Sequence, residues 1–322
     1  MPPALTAEVI RDVNTRYHDA AAEHYDAKWG IDFGEVGRAQ VLAKMRKALG
    51  HAPRRYARSL EIGAGTGYFS LNLLGEGIVG EAMCSDISPG MLSALNDNAR
   101  RLGLRVHSAL VDAERLPFAD ASFDLVLGHA VLHHIPDLAS AFAEFERVLS
   151  PDGTLVFAGE PSRYGDHLAE LPKRAAATLA PLWRRAIRAR GIDRGEHEET
   201  HALEGVVDVH SFAPAELSRA AEQAGLREVR VTGEELFANW FGWISRTLEA
   251  SAEPDDVPWS WRQYAHRGYL LLQQLDRGLL EPRLPAAIFY NLMISARKDP
   301  ARSPRAASGR RGGAPGPRLE RT

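Results

Sequence analysis

The chain has a single cysteine, no long apolar run and almost no excess charge. Because Cys84 is alone among 322 residues, an internal disulfide is excluded and a reducing cytoplasm is the expected location. The thiol ends an apolar stretch and is expected to be packed rather than reactive. No apolar run approaches the roughly 18 residues that a membrane span requires. The N-terminus shows no secretion signal, and a net charge of −3 predicts no general affinity for nucleic acid.

The clearest functional signal lies between residues 58 and 86. The apolar run 58–62 predicts a buried strand, 63–67 a glycine-rich turn, and 68–74 a helix. Glycine permits positive φ and close approach of the backbone to a ligand, and the helix behind it offers unpaired N–H groups. Asp86, after a second apolar stretch, is placed to accept hydrogen bonds from both hydroxyls of a ribose. This combination predicts a site for an adenosine cofactor.

The glycine spacing distinguishes between adenosine cofactors. The dinucleotide pattern is G-x-G-x-x-G, and counting from Gly63 and Gly65 places Tyr68 where its third glycine should be. The pattern present, E-x-G-x-G-x-G with Glu61 first, resembles that of the class I S-adenosylmethionine-dependent methyltransferases. The resemblance extends to the small-molecule branch that holds the quinone-ring methyltransferases, through CSDISPGML at 84–92, VDAERLPFADASFDLVLGHAVLHHIPD at 111–137 and FERVLSPDGTLVFAGEP at 145–161.

The alternation of strands and helices predicts an α/β fold with a doubly wound, mostly parallel, Rossmann-like sheet. Residues 123–128 form the continuous apolar run expected of a strand buried on both faces. The resemblance implies seven strands, with an antiparallel last strand over 287–296. We expect the other strands near 58–62, 78–85, 105–111, 154–159 and 226–232, helices over 68–74, 89–102, 137–149 and 214–225, and a turn at 150–153.

Three parts follow from this interpretation. Residues 1–50 form a helical N-terminal lid. Residues 51–297 form the cofactor-binding methyltransferase domain, with insertions at about 162–210 and 234–285 that shape a substrate cavity or serve as extra packing. Residues 298–322 are basic and rich in glycine, proline and serine, which predicts a disordered tail.

The resemblance also implies roles for individual residues. Asp86 holds the ribose hydroxyls, and Asp112 accepts from the adenine amine with Ala113 beside it. Glu61 either touches the ligand or orients the loop. The other cofactor-binding residues implied are Gly63, Ala64, Gly65 and Gly67 near the methionine moiety, Ile87 and Met91 near the ribose and adenine, and His129 on the cofactor wall.

Histidines cluster where the acceptor is expected to lie. His133 and His134 follow the fourth strand within one turn. A histidine, whose ordinary pKa is about 6.5, can take a proton from a hydroxyl or an acidic carbon as methyl transfers. The alternative is that one of the two bonds a loop carbonyl. Because these histidines are adjacent in sequence and paired cysteines are absent, no metal site is predicted.

A second polar group stands on the expected acceptor side. Glu160, Arg163 and Tyr164 come just past the fifth strand and either face the acceptor or belong to a solvated loop. In the lid segment, Tyr25 stands among charged residues ahead of the sheet. It either closes over the site or packs in the core of an amphipathic helix.

The stretch 172–190 combines leucine, isoleucine and tryptophan with six lysines or arginines and no acid. It either rests on a membrane surface or covers a lipid-like substrate, or it forms a solvated basic helix over the cavity. Pro181 is expected to divide it into two helices.

Taken as a whole, the sequence predicts an enzyme that transfers a methyl group from S-adenosylmethionine to a small, apolar or aromatic acceptor. Two alternatives stay open. One is a catalytically silent protein that binds S-adenosylmethionine. The other is a nicotinamide-dependent oxidoreductase, which would need the missing third glycine.

Overall fold

The computed structural model describes residues 6–26, 30–192 and 209–301. Within these ranges the chain alternates helices and strands around one sheet. In chain order the main elements are α1 (Ala7–Ala21), α2 (Glu35–Leu49), β1 (Tyr56–Ile62), α3 (Tyr68–Gly75), β2 (Val79–Asp86), α4 (Pro89–Arg101), β3 (His107–Leu110), β4 (Phe123–His129), α5 (Leu138–Val148), β5 (Leu149–Pro161), α6 (Arg163–Ile187), α7 (Pro214–Gln223), β6 (Leu226–Glu234), α8 (Phe237–Glu249), α9 (Trp259–Leu275) and β7 (Asn291–Lys298).

The seven strands form a single sheet in the order β3-β2-β1-β4-β5-β7-β6. Strands β1 to β5 run parallel, and β7 lies antiparallel between β5 and β6. This confirms the predicted fold class. The strand order reverses between β1 and β4, so the crevice at a topological switch point opens beyond Ile62 and His129, where these two neighbours end.

Two apolar clusters cover the opposite faces of the sheet. Because successive residues of a strand point to opposite faces, Val126 belongs to one cluster while Leu125 and Leu127 belong to the other. Cys84 is fully buried in the second cluster, and burial raises the pKa of its thiol. It is therefore a packed residue, as predicted.

Two expected boundaries near the last strands are wrong. The residues predicted as a turn at 150–153 lie inside β5, where the register with β4 shifts between Phe123 and Leu125. Asp152 takes a positive φ of 59° there, so the segment forms an irregularity in the strand rather than its boundary. Strand β7 begins at Asn291 instead of 287, because a short 3₁₀ helix at Ala286–Ile288 precedes it.

The expected break at Pro181 is also wrong. Helix α6 is continuous from Arg163 to Ile187 and contains both Pro172 and Pro181. Each proline removes one backbone hydrogen bond, but Ala176 and Ala180 are buried against Leu248 of α8, and this packing holds the helix together.

No helix in the described ranges is both long and apolar enough to cross a membrane. The tail after residue 301 and the segment 193–208, part of the first predicted insertion, lie outside the described residues.

Candidate functional site

The glycine turn between β1 and α3 has the geometry of a ligand-binding loop. Gly63, Gly65 and Gly67 have positive φ values of 59°, 51° and 96°. A Cβ atom added at Gly63 would lie 2.3 Å from Val131, and one added at Gly67 would lie 2.8 Å from Leu71. At Gly65 there is no atom within 4 Å of that position. The open side of the loop is therefore at Gly65, while the other two glycines permit close packing.

Asp86, at the end of β2, lies against the same loop. Its Oδ2 accepts from Gly65 N at 2.8 Å and its Oδ1 accepts from Ser88 N at 2.9 Å. Burial raises the pKa of this carboxyl, and these two N–H donors oppose the effect. A carboxylate has about four acceptor positions, so both oxygens keep capacity for the hydroxyls of a ribose.

We expect Asp86→Ala to weaken S-adenosylmethionine binding by about 1.5 to 3 kcal/mol, the range for hydrogen bonds to a charged group. Asp124→Ala is the matched control, because that carboxylate also accepts from two backbone N–H groups, at Ala57 and Arg58, but at the start of β4. Calorimetry on the folded variants measures both affinities. Equal affinities for the two variants would contradict the assignment of Asp86.

Glu61 is the penultimate residue of β1, and its buried side chain is directed toward α3. Its Oε2 accepts from Ser70 N at 2.9 Å, in the first turn of the helix that follows the glycine loop. Of the two roles considered for Glu61, this contact supports orientation of the loop. Burial raises the pKa of Glu61 to about 7, and hydrogen bonds from Ser70 lower it in part.

This raised pKa predicts a pH dependence of stability. An unfolded glutamate loses its proton near pH 4.5, whereas folded Glu61 keeps it until about pH 7. Between these pH values the folded state binds more protons than the unfolded state, so the free energy of unfolding falls as pH rises. The contribution of Glu61 to this fall is about 3 kcal/mol. We expect Glu61→Gln to remove this slope in urea unfolding at pH 5 and pH 8. Glu81→Gln is the control, because Glu81 is exposed. If the free energy of unfolding changes equally between pH 5 and pH 8 in wild type and Glu61→Gln, the expectation is wrong.

The histidine loop after β4 is organised by one buried carboxylate. Glu160, near the end of β5, accepts from Val131 N at 3.0 Å, Leu132 N at 3.1 Å and His133 N at 3.2 Å. Its Oε2 also lies 2.8 Å from His133 Nδ1. When Glu160 is ionised it can only accept, which assigns the hydrogen to Nδ1 and makes Nε2 the basic atom of the ring. Glu160 thus fixes both the loop and the tautomer.

The other two histidines have different surroundings. The His134 ring lies 3.9 Å from that of His133, centroid to centroid, and 5.4 Å from that of His18. The ring of His129 stacks on Phe69 at 5.2 Å. Burial and the nearby Lys44 cation lower the pKa of His129 to about 4, so this ring is neutral at pH 7.

The N-terminal segment lies over the proposed cofactor side. Arg11 Nη1 on α1 is 2.8 Å from Glu114, and its Nε is 3.5 Å from Asp112. Asp19 accepts from Gly90 N at 2.9 Å, at the start of α4. Burial and the neighbouring Asp86 raise the pKa of Tyr25 to about 12. The segment therefore adjoins Asp86 and Asp112 from outside the sheet.

The remaining residues predicted for the site divide into three groups. Ala64, Met91 and Ala113 are buried, and Ile87 is half-buried. Arg163 is turned to Glu216, 2.9 Å away, at the exposed start of α6. Tyr164 is 55% exposed on the outer surface of the same helix.

A polar cluster absent from the sequence predictions lies near His129. Lys44 Nζ on α2 is 2.5 Å from Glu234 Oε2, and Lys47 Nζ is 3.1 Å from Glu234 Oε1. Next to it, Glu235 accepts from Tyr269 OH at 2.7 Å. These side chains join α2, the end of β6 and α9. No local signal marks them, because Lys44 and Glu234 are 190 residues apart.

An open groove of about 490 Å³ lies elsewhere, between α6, α8 and α9. Its lining includes Ile187, Phe241, Trp261 and Tyr264 but none of the loop residues above. Among the described residues, there is no group of three or more histidine, cysteine, aspartate or glutamate side chains arranged to hold a metal ion.

Comparison with known proteins matches residues 60–157 to the family described as a methyltransferase domain. The malonyl-[acyl-carrier protein] O-methyltransferase of Geobacter sulfurreducens is 31% identical over 225 residues, which cover 70% of this chain and 73% of that protein. The demethylmenaquinone methyltransferase of Deinococcus radiodurans is 36% identical over 121 residues, 38% of this chain and 49% of that protein.

Among solved structures, a phosphoethanolamine N-methyltransferase 2 of Haemonchus contortus, in complex with S-adenosylhomocysteine, aligns with a TM-score of 0.57. The alignment covers 93% of this chain and 61% of that one at 17% identity. This likeness supports the fold alone.

Proposed function

Because this chain belongs to the class I S-adenosylmethionine-dependent methyltransferases, we propose that it methylates a small, apolar or aromatic acceptor, with His133 as general base. The contact that carries this proposal is the one between His133 Nδ1 and Glu160 Oε2, at 2.8 Å. It leaves a basic Nε2 on a loop that packs against the cofactor-binding turn through Val131 and Gly63.

The residues at the end of β1 and β2 fit the donor. S-adenosylmethionine, when bound, supplies an electrophilic methyl group on a sulfonium. The open backbone at Gly65 admits a ligand, and Asp86 presents both carboxylate oxygens beside it. Ile87 and Met91 would supply apolar contacts to the adenosine, and Asp112 with Ala113 would accept and donate at the adenine edge.

His133 would hold and move one proton. In this proposal its Nε2 takes the hydrogen of an acceptor hydroxyl or acidic carbon while that atom forms its bond to the methyl group. The imidazolium then releases the proton to solvent. Glu160 stabilises the charged ring during this step, and neutral His129 forms part of the wall, because a group with a pKa of about 4 is a weak base at pH 7.

The charges around the ends of β5 and β6 favour a neutral acceptor. Four cations near these strand ends already contact carboxylates, so an anionic acceptor would have to compete with those carboxylates. They are Lys44 with Glu234, Lys47 with Glu234 and Glu281, Arg163 with Glu216 and Lys173 with Asp166. Aromatic rings are close by, since Tyr68 lies 5.8 Å and Phe69 5.2 Å from His129 between ring centroids.

A second candidate is O-methylation of an acyl group held on a carrier protein. The observation that favours it is the identity of 31% to a malonyl-[acyl-carrier protein] O-methyltransferase across 70% of the chain. It requires a cation to leave its carboxylate partner when the acceptor binds.

Transfer of a labelled methyl group tests these alternatives. We would incubate the full chain with methyl-labelled S-adenosylmethionine and either a reduced naphthoquinone or a malonyl thioester, and measure the labelled product and S-adenosylhomocysteine. Labelled quinol supports the proposal, and labelled malonyl ester supports the second candidate. Donor binding without S-adenosylhomocysteine from either acceptor or from a cell extract would indicate a silent binding protein.

A further inference from the structure

Helix α6 carries an apolar stripe on the side that faces away from the protein. The outward stripe consists of Tyr164, Leu168, Leu171, Leu179 and Leu182, which are 55%, 39%, 72%, 54% and 66% exposed. Their spacing of three, four or eight residues keeps them on one side of a helix. They extend over about 27 Å of its length at 1.5 Å per residue.

Another side of α6 already packs against the rest of the protein. Ala176 and Ala180 pack with Leu248, and the ring of Trp183 lies 5.0 Å from that of Trp261. The helix therefore needs no outward leucine to hold its place in the fold. Soluble monomers rarely expose apolar patches of this kind without a partner.

Arginines lie along one edge of the stripe. Arg174 and Arg185 are exposed, and each stands within one turn of an outward leucine. The pair of Arg174 with Glu170, at 3.5 Å, is a surface contact of little energy. Helix α6 holds five lysines or arginines against two acids, Asp166 and Glu170, in a chain whose net charge is −3. This side of the molecule is thus locally cationic.

We propose that the outward stripe docks on an anionic lipid surface. A convex helix with leucines in one line and arginines at the edge matches an interfacial helix, whose apolar side enters the headgroup boundary while guanidinium groups contact phosphates. A second copy of this chain on the same stripe is the alternative occupant that the test below distinguishes.

This docking has a consequence for the site. Helix α6 begins at Arg163, three residues after Glu160, which orients His133. A docked α6 therefore brings the catalytic loop close to the lipid surface. Only this consequence, delivery of a membrane-dissolved apolar acceptor, rests on the proposed function.

Vesicle sedimentation of the full chain tests the docking. We expect binding to vesicles of phosphatidylcholine with phosphatidylglycerol that weakens with added salt and is much lower on phosphatidylcholine alone. The double variant Leu171→Ser with Leu182→Ser should bind at least about tenfold more weakly, since two leucines lose their burial in the bilayer. Arg174→Gln with Arg185→Gln should lose the preference for phosphatidylglycerol.

Leu110→Ser is the matched control, because Leu110 is a leucine of similar exposure, 62%, on the edge strand β3. It should bind vesicles as the wild type does. All variants should keep the wild-type affinity for S-adenosylmethionine. This unchanged affinity shows that they fold, and it keeps the result independent of the acceptor assays. Vesicle binding by the leucine double variant at the wild-type level would mean that the basic tail makes the contact, and it would overturn the proposal. So would a wild-type dimer that the same variant dissociates.

Discussion

Replacement of Gly65 by valine is expected to abolish S-adenosylmethionine binding without unfolding the protein. The backbone at Gly65 has a φ of 51° and faces open space, with no atom within 4 Å of a built Cβ. A β-branched side chain there costs about 1 to 2 kcal/mol of backbone strain. More important for binding, it fills the space beside Asp86 that the donor needs. We expect the dissociation constant to rise at least about a hundredfold, or 2.7 kcal/mol.

Gly77→Val separates the two effects. Gly77 also has a positive φ, 64°, and no atom within 4 Å of a built Cβ, but it lies in the turn between α3 and β2 at the other end of the sheet. It therefore carries similar strain without touching the proposed site. Thermal midpoints should fall alike in both variants, while calorimetry should show donor binding only in Gly77→Val. If Gly65→Val binds the donor normally, the loop has another purpose.

The loop could be predicted because its parts are contiguous in the chain. Strand β1, the glycines, α3 and Asp86 follow one another within about thirty residues, and each is encoded by local preferences for apolar runs, positive φ or helix starts. The predicted strand over 123–128 differs from β4 by a single residue. Short-range physics is sufficient for this half of the site.

The acceptor side depends on contacts that no local pattern reveals. Lys44 reaches Glu234 across 190 residues of sequence, and on the cofactor side Arg11 reaches Glu114 across 103. Such pairs form only when the sheet has placed α1 beside α4 and α2 beside β6. Their energies depend on burial and on the partner, and neither quantity can be read from the sequence around a single lysine or arginine.

Glu160 shows why the direction of a side chain was harder to predict than its position. The sequence predicts it just past the fifth strand, on the acceptor side, whereas β5 extends to Pro161 and includes it. In the structure the register with β7 shifts between Phe157 and Glu160, and Gly159 takes a φ of 76°. This irregularity interrupts the alternation of strand residues, and the carboxylate points to the backbone of the histidine loop. We therefore propose a positioning role for Glu160.

The second large effect is expected at His133. If its Nε2 is the general base, His133→Ala should lower kcat by 10² to 10⁴, a range typical of positioned acid–base groups, with little change in donor affinity. Added imidazole should restore part of the turnover by replacing the missing ring. His134→Ala is the control and should keep most activity, because its ring adjoins that of His133 while the Glu160 carboxylate lies against His133 Nδ1.

Glu160→Gln tests the positioning role through the tautomer. Its amide oxygen can still accept from Val131 N and Leu132 N, but its NH2 group replaces the oxygen that accepts from His133 N and turns an N–H toward His133 Nδ1, which must then accept. The hydrogen moves to Nε2, which then cannot take a proton from the acceptor. We expect kcat to fall roughly 10² to 10⁴-fold without rescue by imidazole, while the dissociation constant of the donor stays unchanged.

The double variant of His133 and Glu160 makes the test decisive. Residues that act as one unit are not additive, so the pair should be little slower than His133→Ala alone. If the loss in kcat of the double variant equals the product of the two single losses, Glu160 acts on the reaction independently of His133. Near-normal turnover of His133→Ala with an identified acceptor would remove histidine catalysis and leave methyl transfer to proximity within the site.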